Sequence, residues 1–199
     1  MSRSFVFGNG NILICVDEYA QVRDVYFPYV GLENHVGGRF KHRLGIWVDG
    51  RMRWFEHGWN VTVQSEDDAP VGSTVARSDE LDLTVFLSDV VYNEKNVFLR
   101  KVTIRNTGSE RRDVKLYFGH EFEIYESHRG DTAYFDPIHH TLIHYNGKRV
   151  FLINGRIDNR SFDDYTTGVF NIEGKEGSYK NAEKGSLPQN PIEHGPRCV

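Results

Sequence analysis

Five acidic residues between positions 121 and 136 could supply general acid–base chemistry. They are Glu121, Glu123, Glu126, Asp131 and Asp136. Hydrolysis of a sugar bond needs two carboxylates held several ångströms apart across the scissile bond. Glu121 and Glu123 would share one face of a strand, which we expect to be the solvated face. Asp131 and Asp136 fall in a polar stretch where Asx-type turns account for them. The sequence therefore predicts no catalytic residue in this chain.

Histidines, which are common metal ligands, occur in the same region. They are His120, His128, His139, His140 and His144. On a strand, His140 and His144 share a face but lie roughly 13 Å apart, because each residue advances the chain by about 3.3 Å. Zinc needs its donors at about 2 Å. We therefore predict no metal site.

A glycine-rich turn near the start of the chain, Gly8-Asn9-Gly10-Asn11, begins like a dinucleotide-binding fingerprint. The third glycine of that fingerprint is missing and no helical pattern follows, so a hairpin turn is the better interpretation. The sequence predicts no cofactor.

Three tryptophans, Trp47, Trp54 and Trp59, surround one predicted hairpin. Aromatic rings stack on sugar faces, so these residues could form a carbohydrate platform. Burial in a hydrophobic core is the favoured interpretation.

The elements that position these residues are strands. Residues 114–125 alternate strictly, and one face of the predicted strand carries Val114, Leu116, Phe118, His120, Phe122 and Ile124. Successive strand side chains point to opposite faces, so this face is predicted to be buried. Asn146-Gly147 separates two apolar runs, residues 141–145 and 149–153, which predicts a hairpin with a type I′ turn.

Similar short strands separated by turn signals recur along the chain, and no helical periodicity extends over three turns before residue 160. Asp49-Gly50 marks another I′-type hairpin, and residues 81–87 alternate like residues 114–125. Many strands with few helices predict an all-β sandwich or barrel. Because the strand at 114–125 needs a broad partner surface, we predict two large antiparallel sheets packed face to face.

Composition and charge exclude some classes of partner. The chain has 199 residues, a net charge of −4 and no long basic cluster, so nucleic acid is not predicted as a partner. No apolar run approaches the length of a membrane span, and no signal-peptide pattern is present, which predicts a cytoplasmic protein away from membranes. The two cysteines, Cys15 and Cys198, are not expected to pair.

The composition changes after residue 170. Residues 171–199 are rich in Gly, Lys, Glu, Asn and Pro, and their one helix-like piece is residues 178–184. We therefore predict a sandwich domain at residues 1–170, followed at 171–199 by a linker toward a domain that is absent here.

Several phrases resemble the N-terminal region of prokaryotic glycoside hydrolase family 15, which includes glucoamylases, glucodextranases and trehalases. They are GNGNILICVDEYAQVRDVYFPYVGLENHV (8–36), FKHRLGIWVDG (40–50), GDTAYFDP (130–137) and SFDDYTTGVF (161–170). The resemblance runs from about residue 8 to residue 194.

This resemblance implies a large β-supersandwich that precedes a helical (α/α)₆ catalytic domain, which carries the two catalytic glutamates of an inverting α-glucosidase. It implies that the present chain is a non-catalytic domain that supports and borders that catalytic domain, near an α-glucan or trehalose substrate. Residues 125–136 are predicted to form a polar loop, and by its position this loop is the predicted interface with the catalytic domain. The interface residues are Tyr125, His128, Asp131, Thr132, Tyr134 and Asp136.

Two alternatives remain open. The supersandwich fold is also that of aldose 1-epimerases, which use His and Glu as acid and base; here His120 or His140 would have to meet Glu121 or Glu123. A free-standing carbohydrate-binding module would instead present an exposed aromatic strip such as Trp54, Trp59 and Tyr92.

Overall fold

The computed structural model describes residues 4–37, 41–65, 70–127, 130–170, 172 and 177–199, and nearly all the regular secondary structure within them is β. Numbered along the chain, the strands are β1 (Phe5–Gly8), β2 (Leu13–Val16), β3 (Val22–Tyr26), β4 (His42–Val48), β5 (Arg51–Trp54), β6 (Asn60–Ser65), β7 (Gly72–Ser78), β8 (Leu83–Val91), β9 (Phe98–Asn106), β10 (Val114–His120), β11 (Asp131–Asp136), β12 (Thr141–Asn146), β13 (Arg149–Ile153), β14 (Arg156–Ile157), β15 (Arg160–Ser161) and β16 (Ile192–Gly195). A 3₁₀ turn spans Ile124–Glu126, and a short helix, α1, spans Tyr179–Ala182.

Three sheets carry the architecture. The main sheet has six strands in the order β1-β2-β3-β4-β10, with β5 also beside β4; the second sheet has the order β6-β7-β8-β9; and the small sheet has the order β13-β12-β11-β16. All of these neighbours pair antiparallel. The predicted all-β antiparallel sandwich is confirmed.

The main and second sheets pack face to face over an apolar core. Leu44, Ile46 and Val48 point inward from β4. Leu83, Val85 and Leu87 meet them from β8, and all six side chains are at most 1% exposed. Their two-residue spacing is the alternation seen in the sequence. Each such side chain contributes about 1.5–3 kcal/mol by leaving water.

The small sheet attaches to the main sheet at the end of β10. The backbone of Phe122, two residues beyond β10, bridges Cys198, three residues beyond β16. A second apolar cluster spans this junction and unites Phe7 and Ile14 of the main sheet with Phe170 and Val199. The small sheet is thus fixed to the main body by both chain pairing and core packing.

Both predicted hairpins form. At Asp49-Gly50 both residues have positive φ (52° and 76°), as a type I′ turn requires. In the β12–β13 hairpin the turn lies one residue later than predicted, because Asn146 pairs with Arg149. Of its two central residues only Gly147 has positive φ (53°), which is the pattern of a II′ turn rather than the predicted I′ turn.

The predicted strand at residues 114–125 is shorter than expected. Strand β10 ends at His120, and its Phe118 is 44% exposed while Tyr117 is buried. Tyr117 is buried because α1 and the residues after it cover the outer side of the main sheet, where Ala182 packs with Trp54 and Tyr117.

Residues 177–199 pack onto both the main and the small sheet. Lys115 Nζ donates to the Gly185 carbonyl at 2.6 Å, and Gly185 has φ +77°. A Cβ there would lie 2.5 Å from the Trp47 ring, so only glycine fits. Strand β16 completes the small sheet. The assignment of residues 171–199 as a linker to another domain stays a prediction.

No helix within the described part of the chain has the length and apolar character that crossing a bilayer requires.

Candidate functional site

The predicted interface residues separate onto two sides of β11. Thr132, Tyr134 and Asp136 alternate along the strand and point to the outer face of the small sheet, since their cross-strand partners are Tyr145, Ile143 and Thr141. Asp131 points to the inner face and is 1% exposed. Tyr125 lies in the preceding 3₁₀ turn. His128 lies outside the described residues.

Asp131 fixes the Tyr125 turn from inside. Its Oδ2 accepts from the Ile124 backbone N–H at 3.1 Å, and its Oδ1 accepts from Asn146 Nδ2 at 3.1 Å. Burial raises the pKa of Asp131 to about 7, against the lowering effect of these two hydrogen bonds. Both oxygens accept hydrogen bonds within the chain, so the carboxyl has a structural role.

The turn at Tyr125 holds two non-glycine residues in the left-handed region, with φ of 64° at Tyr125 and 51° at Glu126. Such residues cost of order 1–3 kcal/mol each and persist where the surroundings impose them. Here the surroundings are hydrogen bonds: Tyr125 N–H donates to His35 Nδ1 at 3.1 Å, and Glu123 N–H donates to the His35 carbonyl at 3.0 Å.

The His35 ring is therefore neutral, and its two nitrogens have different roles. Its Nε2 lies 2.6 Å from the Phe27 carbonyl, which can only accept, so Nε2 carries the hydrogen and Nδ1 is free to accept from Tyr125. Burial lowers the pKa of His35, in agreement with a neutral ring. No local pattern around His35 indicates this role.

An ion pair holds the exposed side of the turn. The Arg149 guanidinium lies 5.2 Å from the centre of the Tyr125 ring. Its Nε and Nη2 donate to the two Glu33 carboxylate oxygens at 2.7 and 3.0 Å. Tyr125 itself is 39% exposed. The turn thus holds a partly exposed aromatic ring with an arginine against it.

The outer face of the small sheet is an apolar patch beside this turn. One row of directly opposed residues crosses all four strands: Ile192, Tyr134, Ile143 and Leu152. The next row includes Tyr145 and Val150. Leu152 is 67% and Ile192 59% exposed. Opposed residues lie about 5 Å apart, so the six side chains form one contiguous surface, here called the outer face. The outer face is therefore the candidate interaction surface of the small sheet.

The expectation that Glu121 and Glu123 are solvated is wrong. They are 3% and 1% exposed. The reason is that β10 ends at His120, so the alternation no longer sets the direction of the following side chains. Glu121 accepts from the Lys41 N–H and from Arg43 Nε, and Glu123 accepts from Arg197 Nε at 2.9 Å. Burial raises the pKa of Glu121.

These carboxylates do not form a hydrolytic pair over a cleft. One surface depression is lined by Thr167, Asn181 and Asn190, and its one carboxylate from the described residues is that of Glu193. Another is lined by His139, His140 and Arg160, and no described carboxylate lines it. Two carboxylates facing one depression are what sugar-bond hydrolysis needs.

The histidines divide into exposed and buried groups. His139 is exposed and bonds Asp136. His144 is turned inward and packs against Phe122, with ring centres 4.7 Å apart. His42 and His120, paired across β4 and β10, lie beside the same Phe122. Within the described ranges no three His, Cys, Asp or Glu side chains are placed to hold a metal ion.

Two groupings that the alternative sites would use, the His120–Glu121 pair and an exposed tryptophan strip, are not assembled in the described part of the chain. His120 packs against His42, whereas Glu121 is bound to Arg43, so that epimerase-type pair does not converge. Trp54 is 8% exposed. Trp59 packs on Phe55 at 4.9 Å. The tryptophans therefore belong to the cores rather than to an exposed strip.

Comparison of the fold with solved structures identifies a match over the whole chain. The chain superposes on a bacterial glucoamylase, determined in complex with acarbose, with a TM-score of 0.72 and 12% identity, over 99% of this chain and 29% of that one. The chain has the fold of part of a bacterial glucoamylase.

A sequence relative agrees with this match. An uncharacterized glycosyl hydrolase of Methanocaldococcus jannaschii is 26% identical over 191 residues, which is 96% of this chain and 29% of the relative. No family model matches the chain. The chain thus spans under a third of the length of each of these two proteins.

Proposed function

We propose that this chain is the non-catalytic N-terminal β-sandwich domain of a glucoamylase- or trehalase-like glycosidase, and that it supports and borders a helical catalytic domain. The observation that carries the proposal is the match of the whole sandwich to 29% of a glucoamylase. More than two thirds of such a polypeptide lies outside the matched region, which leaves room for a separate catalytic part.

The positions of the buried carboxylates support a non-catalytic role. Glu121, Glu123 and Asp131 each accept hydrogen bonds from groups of this chain. A general acid and a general base need free access to the glycosidic oxygen and to water. These three acids instead tie strand ends and turns together.

We assign the contact with the catalytic domain to the outer face and the adjoining Tyr125 turn. The outer face combines exposed Leu152, Ile192 and Val150 with two tyrosines, and aromatic and apolar groups form the centres of protein interfaces. One outward row of the second sheet is polar by contrast, with Gln64, Ser73, Ser88 and Lys101 opposed in turn. The sandwich therefore has an apolar sheet face suited to a partner, and we assign the helical catalytic domain as its occupant.

The first test is enzymatic. The purified chain is expected to fold and to release no glucose from maltose, trehalose or maltooligosaccharides. Glucose release that disappears in the Glu121→Gln or Asp131→Asn variant would assign catalysis to this chain and overturn the proposal. Mutarotation of glucose or galactose by the chain would favour the epimerase alternative.

The second test is binding. The helical catalytic domain that the proposal places after the sandwich is produced separately and titrated with the sandwich by calorimetry. Leu152→Lys and Ile192→Lys place a charge in the centre of the outer face and are each expected to weaken binding at least tenfold, about 1.4 kcal/mol. Ser88→Lys, on the polar face of the second sheet, is the matched control and should bind normally.

Two outcomes would contradict the assignment of the surface. Equal binding by all three variants would place the contact elsewhere. The sandwich could instead dimerise in a concentration-dependent way that Leu152→Lys abolishes. That result would show that the outer face binds a second copy of this chain.

A further inference from the structure

A continuous cluster of rings lies beneath the small sheet and joins it to the main sheet. His120 contacts His42 (4.8 Å between centroids), and His42 contacts Phe122 (4.6 Å). Phe122 contacts His144 of β12 (4.7 Å) and Phe151 of β13 (4.9 Å). His144 and Phe151 are the inward-facing residues directly behind the outer face, since they alternate with Tyr145 and Val150.

Three histidines of this cluster have buried ring nitrogens with no hydrogen-bond partner among the described residues: His42 Nε2, His120 Nδ1 and His144 Nδ1. An imidazolium carries N–H groups on both nitrogens, and each needs an acceptor. A proton added at any of these atoms would find none within the packed seam. A second proton would add repulsion between the neighbouring rings of His42 and His120.

The charged groups around the cluster do not favour protonation. Arg100 of β9 acts on His42 and His120 as a cation, and its guanidinium is paired with both Asp89 oxygens at 2.7 and 2.6 Å. The Glu121 carboxylate next to His120 is turned to Arg43. Glu193 of β16 lies two strands from His144, about 10 Å away.

The rings are accordingly neutral in the folded protein. Burial lowers the pKa of His144 to about 3 and that of His120 to about 4, and the pKa of His42 is well below its usual value for the same reason. In the open or unfolded chain histidines titrate at about 6.5. Asp131 of β11 acts in the opposite sense, because burial raises the pKa of its carboxyl to about 7 and the closed state keeps that proton. With three histidines against one carboxyl, the open state still binds more protons than the closed state below about pH 6.5.

We propose that the cluster of His42, His120 and His144 is an acid-sensitive seam, at which protonation releases the small sheet from the main sheet and thereby withdraws the outer face. Only the last step rests on the proposed function. Opening of the seam is a property of this chain alone, so it is measured without any partner.

The test is hydrogen exchange of the intact chain between pH 7 and pH 4, corrected for the intrinsic pH dependence of exchange. Each histidine that protonates only on opening raises the opening constant up to about tenfold per pH unit. The amides of β11, β12 and β13 are expected to lose protection on acidification. Their opening constant should rise by more than about tenfold for each pH unit. The amides of β7 and β8 should remain protected over the same range.

The decisive variant is His144→Phe, which keeps a ring of similar size and removes the titrating nitrogen. Its slope for the small sheet should fall by about one decade per pH unit relative to wild type. His57→Gln, at an exposed position, is the matched control and should leave the slope unchanged. An unchanged slope in His144→Phe would overturn the proposal, as would simultaneous opening of β7, β8 and the small sheet.

A second measurement covers the case in which His144→Phe does not fold. Nuclear magnetic resonance of the wild-type ring protons follows the titration of His144 directly. A His144 that titrates at about pH 6.5 while β12 stays protected would overturn the proposal. Failure of the calorimetric binding test would leave the seam intact and would affect only the proposed function.

Discussion

Replacement of Asp131 by asparagine should make the free energy of unfolding less sensitive to rising pH. The Asp131 carboxyl is held neutral by burial, with a pKa of about 7 in place of its ordinary 3.8. In the unfolded chain this carboxyl has its ordinary pKa of 3.8. Between about pH 4 and 7 the folded state therefore binds more protons than the unfolded state, and the free energy of unfolding falls as pH rises.

The size of this effect follows from the shift. A pKa displaced by about three units corresponds to an upper limit of about 4 kcal/mol, all of it lost by about pH 7 to 8. The substituted amide would still offer an oxygen to the Ile124 N–H, and the Asn146 amide could rotate to accept from the new NH₂. The variant should therefore match or fall slightly below wild type at pH 4 and exceed it at pH 8.

Urea denaturation at pH 4 to 8, followed by circular dichroism, measures this difference. We expect the stability of Asp131→Asn minus that of wild type to rise by about 2–4 kcal/mol across the range. Subtraction cancels the histidine titrations, which both proteins share. A difference that is independent of pH would refute the reasoning. Asp136→Asn is the control: hydrogen bonding to His139 lowers the pKa of Asp136 below its ordinary 3.8, so this carboxyl titrates below the assayed range and its difference should stay nearly constant from pH 4 to 8.

Two further substitutions test the backbone conformations. Gly185→Ala should destabilise the protein by about 2 kcal/mol or more in thermal unfolding, because φ is +77° and a Cβ would collide with Trp47, whereas Gly155→Ala, with open space around it, should have little effect. Glu126→Gly should raise stability by about 0.5–1 kcal/mol, because this exposed residue has φ 51° and glycine adopts that conformation without strain; a loss of stability would show that the turn is not strained.

The strands and their faces were predictable wherever the signal is local. The alternation at residues 81–87 places Leu83, Val85 and Leu87 in the core, as observed. Asp49-Gly50 specifies its turn because few residue pairs accept positive φ twice. In these regions neighbouring residues alone decide the conformation.

The directions of Glu121 and Glu123 were not predictable, because their partners are distant in sequence. Arg43 and Arg197 lie 78 and 74 residues away from the carboxylates that they bind. The periodic pattern continued past His120, yet pairing with β4 ended there. A tertiary ion pair thus overrode the local pattern.

The candidate interface was predicted only in part for the same reason. Tyr134 and Thr132 were selected from a stretch that was predicted to be a loop and that forms strand β11 in the structure. Leu152 and Ile192 join them on the outer face only through the register of β13 and β16. Arg149 and Glu33, which hold Tyr125, are 116 residues apart. No short-range pattern encodes such meetings.

The placement of residues 192–199 has a consequence for aggregation. Val199 packs in the same cluster as Phe7 and Ile14, and Cys198 pairs with the backbone of Phe122. The core around β1 and β2 is therefore complete only when residues 192–199 join it. Without β16, β11 exposes an unpaired edge, and an unpaired strand edge is a site at which another chain can add and aggregate.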